Sequence, residues 1–272
     1  MKVEEAELVS VTAVTPSYGQ DKAVIDSMIA TAKAYPRDIE RAVKNSILIA
    51  TLDSEIAASC TYSVPRGGKP ITGPSVHLAR IIMQNWGNLR VESKVTEITH
   101  NQIVCQAVAF DIETNIAVKV EVRKSIISKN GRLNDDMITV TGNAGNAVAL
   151  RNAVFNVVPK GVTDKVYKAA VGLLTGDISD ETKLIHKRKN VISKLQKEYG
   201  VTLDEILKAV GKTKEEHIGS EELVVLIGIG TAIKEGDTTV DEAFRPELVK
   251  KAKVDETKEK LRAGQQATIQ MP

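Results

Sequence analysis

The chain has 272 residues, 42% of them hydrophobic and 26% charged, enough to bury a full core, while a net charge of +2 is too mild to mark it as a nucleic-acid binder by charge alone. Aromatic residues make up only 3%, which argues against a platform that grips single strands by stacking, and the two cysteines, Cys60 and Cys105, have neither the number nor the spacing of a disulfide framework or a zinc site. There is no run of about 18 apolar residues, and the start Met1-Lys2-Val3-Glu4-Glu5 lacks the basic and apolar stretches of a signal peptide, so the expectation is a cytoplasmic chain with no membrane contact.

Residues 1 to 15 read as an alternating or frayed entry ending at Pro16. Helical spacing follows over 21 to 34, capped by Asp21 and stopped before Pro36. A second helix, 37 to 51, carries Ile39, Val43, Ile47 and Leu48 on one face, and a short helix over 53 to 60 runs into Thr61 and Tyr62. A Gly- and Pro-rich loop, 65 to 74, leads to a helix over 75 to 85, with Trp86 at its end as a core or interface anchor.

Three strands come next. Leu89, Val91 and Val95 alternate with polar residues, 102 to 111 is apolar on both parities, and Val118, Val120 and Val122 alternate with Lys119, Glu121 and Arg123. Short connections at His100-Asn101 and Glu113-Thr114-Asn115 make these an antiparallel meander. Residues two apart share a face, so the valines pack on helices and the opposite face displays Arg90, Lys94, Lys119 and Arg123. After a polar, basic segment, 128 to 136, a long helix begins somewhere in 136 to 146, with Gly142 and Gly145 obscuring its start. Gly172 and Gly176 mark a boundary between a core of residues 1–176 and a small all-helical C-terminal domain, 177–246. Capping boxes are expected there at Thr202 with Glu205, Thr213 with Glu216 and Thr239 with Glu242. Residues 247–272 read as a charged flexible tail. The fold class expected is α+β.

Positive charge gathers in the centre of the chain. From 119 to 168 nine basic residues stand against four acidic ones, which permits a local anion-binding surface. The loop Arg66-Gly67-Gly68-Lys69 sets two glycines, whose backbone amides can approach an anion, between two cations. The basic sheet face is interleaved with Glu92 and Glu121, so an ordinary solvated surface has the same pattern. Asp135-Asp136 reads as a helix cap or as a pair of carboxylates for Mg²⁺ in a nuclease. Gly228-Ile229-Gly230 reads as close helix packing or a helix-hairpin-helix turn. Gly211-Lys212-Thr213 has Ile206 where a phosphate-binding loop needs its first glycine, which disfavours an ATP-driven recombinase.

From about residue 36 to 170 the order of motifs resembles the RecT/Redβ superfamily of phage single-strand annealing proteins. The carriers are Ala57-Ala58, then Tyr62-Ser63-Val64-Pro65, the Gly73-led helix with Leu78-Ala79-Arg80, the meander, and Leu150-Arg151 in a helix closing on Pro159. One departure is the run Asn143 to Ala147, where the family's helix is usually rich in lysine and arginine. The resemblance implies a β-β-β-α core and a non-enzymatic, ATP-independent protein without cofactor or metal. Its partners would be single-stranded DNA and the annealed duplex intermediate, which it meets as a homo-oligomeric ring or filament. A phage exonuclease and a host single-strand binding protein would dock on the C-terminal domain. The phosphate contacts expected are Arg66, Lys69, Lys119, Arg123, Lys124, Lys129, Arg132, Arg151 and Lys160, with Arg90 and Lys94 as second choices. An oligomeric scaffold with weak nucleic-acid binding, and a metal-dependent nuclease, are the alternatives.

Overall fold

The computed structural model describes residues 16–66, 69–128, 131–176 and 181–248; the alternating or frayed entry of residues 1 to 15, Gly67 and Gly68, Lys129 and most of the charged tail lie outside them. The architecture is α+β, with a three-stranded antiparallel sheet and two small hairpins set among helices. Among the described residues no helix is long and apolar enough to cross a membrane.

The first helix, α1 (Pro16–Ala34), begins at Pro16 rather than Asp21, since proline is pre-set for the first helical turn and lacks only an N–H that would be unpaired there. Asp38 caps α2 (Ile39–Ala50) by accepting from the Arg41 amide. Its buried stripe is Ala42, Ser46 and Ala50, whereas Ile39 and Leu48 are exposed at 56% and 62%. The expected apolar face is therefore turned by small residues, which let the helix approach its neighbours closely.

Helix α3 (Ser54–Ser59) runs into β1 (Thr61–Arg66), which pairs antiparallel with β2 (Lys69–Pro74). Residues 65 and 66 and residues 69 to 74 thus belong to paired strands and not to a loop. The prolines mislead the sequence reading, because Pro65 faces Pro70 and Pro74 faces Thr61, two pairs of one parity in the register. Prolines fit a ladder at pairs whose N–H positions point away from the partner strand. Helix α4 (Val76–Trp86) is capped by Ser75, and Trp86 is buried at its end.

The meander is β3 (Leu89–Ile98), β4 (Gln102–Asp111) and β5 (Ile116–Ser125), in that spatial order with β5 at an edge. A small hairpin pairs β6 (Ile127–Ser128) with β7 (Gly131–Arg132) where the polar, basic segment of 128 to 136 begins. Helix α5 (Asp135–Val157), capped by Asn134, lies across the sheet, with Asp135 and Asp136 in its first turn. Gly142 and Gly145 lie inside it. A Cβ on Gly145 would stand 2.5 Å from Cys105 Sγ, and one on Gly142 would stand 3.0 Å from Ile103 Cδ1. The run from Asn143 to Ala147 is thus part of the helix that rests on the sheet, with Ala144 and Gly145 buried, which leaves no room there for long basic side chains on that face. Cys60 and Cys105 are both buried.

Helix α6 (Lys160–Thr175) ends at Gly176, which has φ of 65°. Beyond it come α7 (Glu181–Tyr199), α8 (Leu203–Ala209), a 3₁₀ turn over Glu215–His217, α9 (Ser220–Lys234) and α10 (Val240–Phe244). The capping boxes at Thr202 and Thr239 form; the one expected at Thr213 does not, because a 3₁₀ turn replaces an α-helix there. These helices share an apolar cluster that includes Ile206, Leu226 and Phe244. Helix α9 also packs on β1. A Cβ on Gly228 would lie 2.8 Å from the Tyr62 carbonyl carbon, so glycine is required for that approach, whereas Gly230 has only ordinary neighbours.

Candidate nucleic-acid interface

An open cleft of about 1630 Å³ runs between the β1–β2 hairpin, the outer edge of β5, α5 and the helices α8 to α10. Its charged lining comprises Lys69, Arg123, Lys124, Arg151, Lys208 and Arg245 against Glu205, Asp237, Glu242 and Glu247, six basic to four acidic groups.

Four of the expected contacts meet in this cleft. Lys69 opens β2 and is exposed, and Arg66 is placed beside it by backbone pairing. Arg123 lies on the open face of β5, paired with Glu121 at 2.8 Å. Lys124, one residue on, points to the other side of the sheet. Its Nζ stands 3.2 Å from Asp237 Oδ1 and donates to the Gly236 carbonyl at 3.1 Å. Arg151 is 8% exposed; its guanidinium lies 4.2 Å from the centre of the Tyr62 ring and 3.4 Å from Asp237 Oδ2. Tyr62 faces Gly73 across the hairpin, where a Cβ would come 3.3 Å from the ring. The guanidinium stacks on the ring, and the missing side chain at Gly73 leaves the ring room to lie against the hairpin backbone.

The register puts Arg90, Lys94, Lys119 and Arg123 on one face of the sheet, as the alternation requires, opposite the face that α5 covers. Glu92, Glu97 and Glu121 share that face, and Arg90 and Arg123 are paired with Glu92 and Glu121. Lys119 is exposed, with no ion-pair partner among the described residues. Lys119 lies away from the cleft lining, as do Arg132 and Lys160. Arg132 donates twice from Nη1, at 2.8 Å each, to the Thr99 and His100 carbonyls of the β3–β4 turn. Lys160 opens α6 and pairs with Asp164 at 2.6 Å while 84% exposed.

Sequence reasoning missed Lys208 and Arg245, which the C-terminal helices bring to the cleft, and it missed Asp237. Arg245 is held by Glu205 at 2.7 Å, and this hydrogen bond, with the Thr202 amide, takes the Glu205 carboxyl down to about 2. Beside Asp237 lies a second carboxylate, Glu235, whose Oε1 is 3.2 Å from His77 Nε2 but has no hydrogen-bond partner. Burial and the nearby Asp237 charge raise Glu235 to about 7 against the pull of Arg151 and Arg80, and burial with the Arg80 charge lowers His77. No signal in the sequence joins these residues, which come from α4, α8, the turn after α9 and the end of α10. Among the described residues no group of three or more His, Cys, Asp or Glu could hold a metal ion. No protein-family model, curated protein or solved structure matches the chain.

Proposed function

We propose that the chain is an ATP-independent single-stranded DNA-binding and annealing protein of the RecT/Redβ type, acting in the cytoplasm as a homo-oligomer in homologous recombination. The observation that carries this reading is the convergence of Lys69, Arg123, Lys124 and Arg151, from a hairpin, an edge strand and a helix, on one open cleft. Cations spaced along a cleft neutralise phosphates and release condensed counterions, which supplies affinity without reading sequence. A strand held by its backbone keeps its base edges free for a second strand, so pairing itself selects the partner. Neither step requires ATP. Oligomerisation would repeat the cleft from subunit to subunit, and the C-terminal helices that form one wall would offer the docking surface for an exonuclease or a host single-strand binding protein.

A specific observation favours the scaffold alternative, since Asp237 pairs with both Lys124 and Arg151, offsets one of their two positive charges and leaves less free charge in the cleft. Mixing purified protein with two complementary labelled oligonucleotides, without ATP or metal, decides between them. Accelerated pairing with both strands intact supports annealing. An oligomer that leaves the pairing rate unchanged supports the scaffold, and strand loss on addition of Mg²⁺ supports the nuclease.

A further inference from the structure

Two cations from separate elements, Lys124 of β5 and Arg151 of α5, converge on a single carboxylate supplied by the turn after α9. Each takes one oxygen of Asp237, at 3.2 and 3.4 Å, and the carboxylate is 9% exposed. An anion bridging two cations through two oxygens is also how a phosphodiester sits between them through its non-bridging oxygens. The fit is loose, because charge-assisted bonds typically close to about 2.7–2.9 Å. Arg151 is fixed independently of the carboxylate, since Tyr62 stacks on its guanidinium and Asn152 Oδ1 accepts from its Nε at 3.3 Å, whereas Lys124 is held by Asp237 and by the adjoining Gly236 carbonyl of the same turn. The carboxylate sits at the C-terminal end of α9, where the helix dipole opposes negative charge, and close to Glu235.

The backbone beneath Asp237 is a helix stop. The Asp237 amide donates to Ala232 at 2.9 Å and the Gly236 amide to Ile233 at 3.1 Å, with Gly236 at φ of 72°. Residues 236 to 238 then lead directly to the Thr239 cap of α10. Opening this link releases its two turn bonds and swings the side chain away, while the body of α9 and the capped start of α10 stay wound.

We propose that Lys124 and Arg151 form a phosphate subsite of the cleft and that Asp237 occupies it as an internal competitor, which a nucleic-acid backbone displaces on binding. This rests on the nucleic-acid reading above. Part of the binding free energy is spent on removing the carboxylate, so the apparent affinity is reduced by the fraction of molecules in which the subsite is open.

Asp237→Asn keeps the shape and removes the charge. At about 100 mM salt it should bind a labelled oligonucleotide roughly fivefold to tenfold more tightly than wild type, with a steeper salt dependence. In the unaltered protein, hydrogen exchange at 236–238 should rise when oligonucleotide is added, while 61–66 becomes protected. Inorganic phosphate at matched ionic strength should leave that exchange unchanged, because a single anion lacks the neighbouring contacts of a strand. Equal affinities and salt slopes for a folded Asp237→Asn variant, or slower exchange at 236–238 on binding, would overturn the competitor while leaving DNA binding intact. Opening by inorganic phosphate would overturn its dependence on a strand. If neither protein binds the oligonucleotide even at low salt, the nucleic-acid reading fails and the subsite with it.

Discussion

Arg37 carries more of the fold than its place in a connecting segment suggests. Its Nη2 pairs with Asp111 Oδ1 at 2.9 Å, Nε donates to the Trp86 carbonyl at 2.8 Å, and the guanidinium lies 4.3 Å from the centre of the Trp86 ring. The two charged side chains are only 6% and 4% exposed, so removing one strands the other in a dry site. Asp111→Ala should therefore cost about 3–5 kcal/mol in urea denaturation. Burial pushes the Asp111 carboxyl up, but the hydrogen bonds and charge of Arg37, helped by Trp86, outweigh it and hold the group below its ordinary value. A depressed folded pKa means that this stabilisation is present above the unfolded value and is lost as acid titrates the folded group. Glu235 has the opposite sign. Its folded pKa of about 7 exceeds the ordinary 4.5, so stability is lost as pH rises between those two values. Glu235→Gln should then melt like wild type near pH 4 and above it at pH 8, by roughly 2–4 °C for each kcal/mol relieved in a chain of this size. Parallel melting curves at both pH values would remove this role. Trp86 was legible as a core anchor because a lone tryptophan after an amphipathic helix has few other places to go. Its partner Arg37 was not, because the contacts that fix it cross from one end of the core to the other.

Period-two alternation made the meander readable down to the face that each of Lys119, Arg123 and the valines takes, because one covered face specifies register strongly. Two elements resisted the same treatment. Prolines hid the β1–β2 hairpin, since a ladder position that tolerates proline differs from one that does not only after pairing is known. Glycines hid the first turns of α5, since low helix propensity and close packing leave the same residue in the sequence. The second case is testable. Gly145→Ala gains up to about 1 kcal/mol of helix propensity, yet its Cβ would meet Cys105 Sγ at 2.5 Å. Overpacking of this kind costs typically about 1–3 kcal/mol, so the variant should be the less stable one in urea denaturation. Cys105→Ala removes the clashing sulfur, and the double variant should cost less than the two single changes added together. Simple additivity would mean that α5 does not rest on the sheet at this point.

At the scale of the molecule, the cleft assigns different roles to Lys69 and Lys160, which the sequence placed on equal terms, and adds Lys208, which it did not. Lys69 and Lys208 line it and have no ion-pair partner among the described residues, whereas Lys160 opens a helix elsewhere and pairs with Asp164. Oligonucleotide affinity should fall steeply from about 50 to 300 mM salt, and Lys69→Ala or Lys208→Ala should each reduce the slope of log affinity against log salt by about 1. Lys160→Ala should leave it unchanged. Equal effects at all three would mean a diffuse positive field rather than a cleft. Lys208 belongs to α8, so the wall it stands on must stay attached, and here the join through α9 decides the outcome. The glycine at 228 brings α9 against the β1 backbone, and Thr231 Oγ1 reaches the Ala58 carbonyl at 3.3 Å. Sequence punctuation at Gly176 gives a plausible cut, yet a chain ending there would uncover β1 along the face that α9 covers and would lose one side of the cleft. Residues 1–176 alone should therefore unfold at lower urea than the full chain and bind oligonucleotide more weakly. A gentler change isolates the contact: Gly228→Ala places a methyl 2.8 Å from backbone that cannot step aside, at a cost of about 1–3 kcal/mol. If residues 1–176 unfold at the same urea concentration as the full chain and Gly228→Ala is silent, the C-terminal helices are an independent unit, and the basic wall they lend to the cleft is incidental.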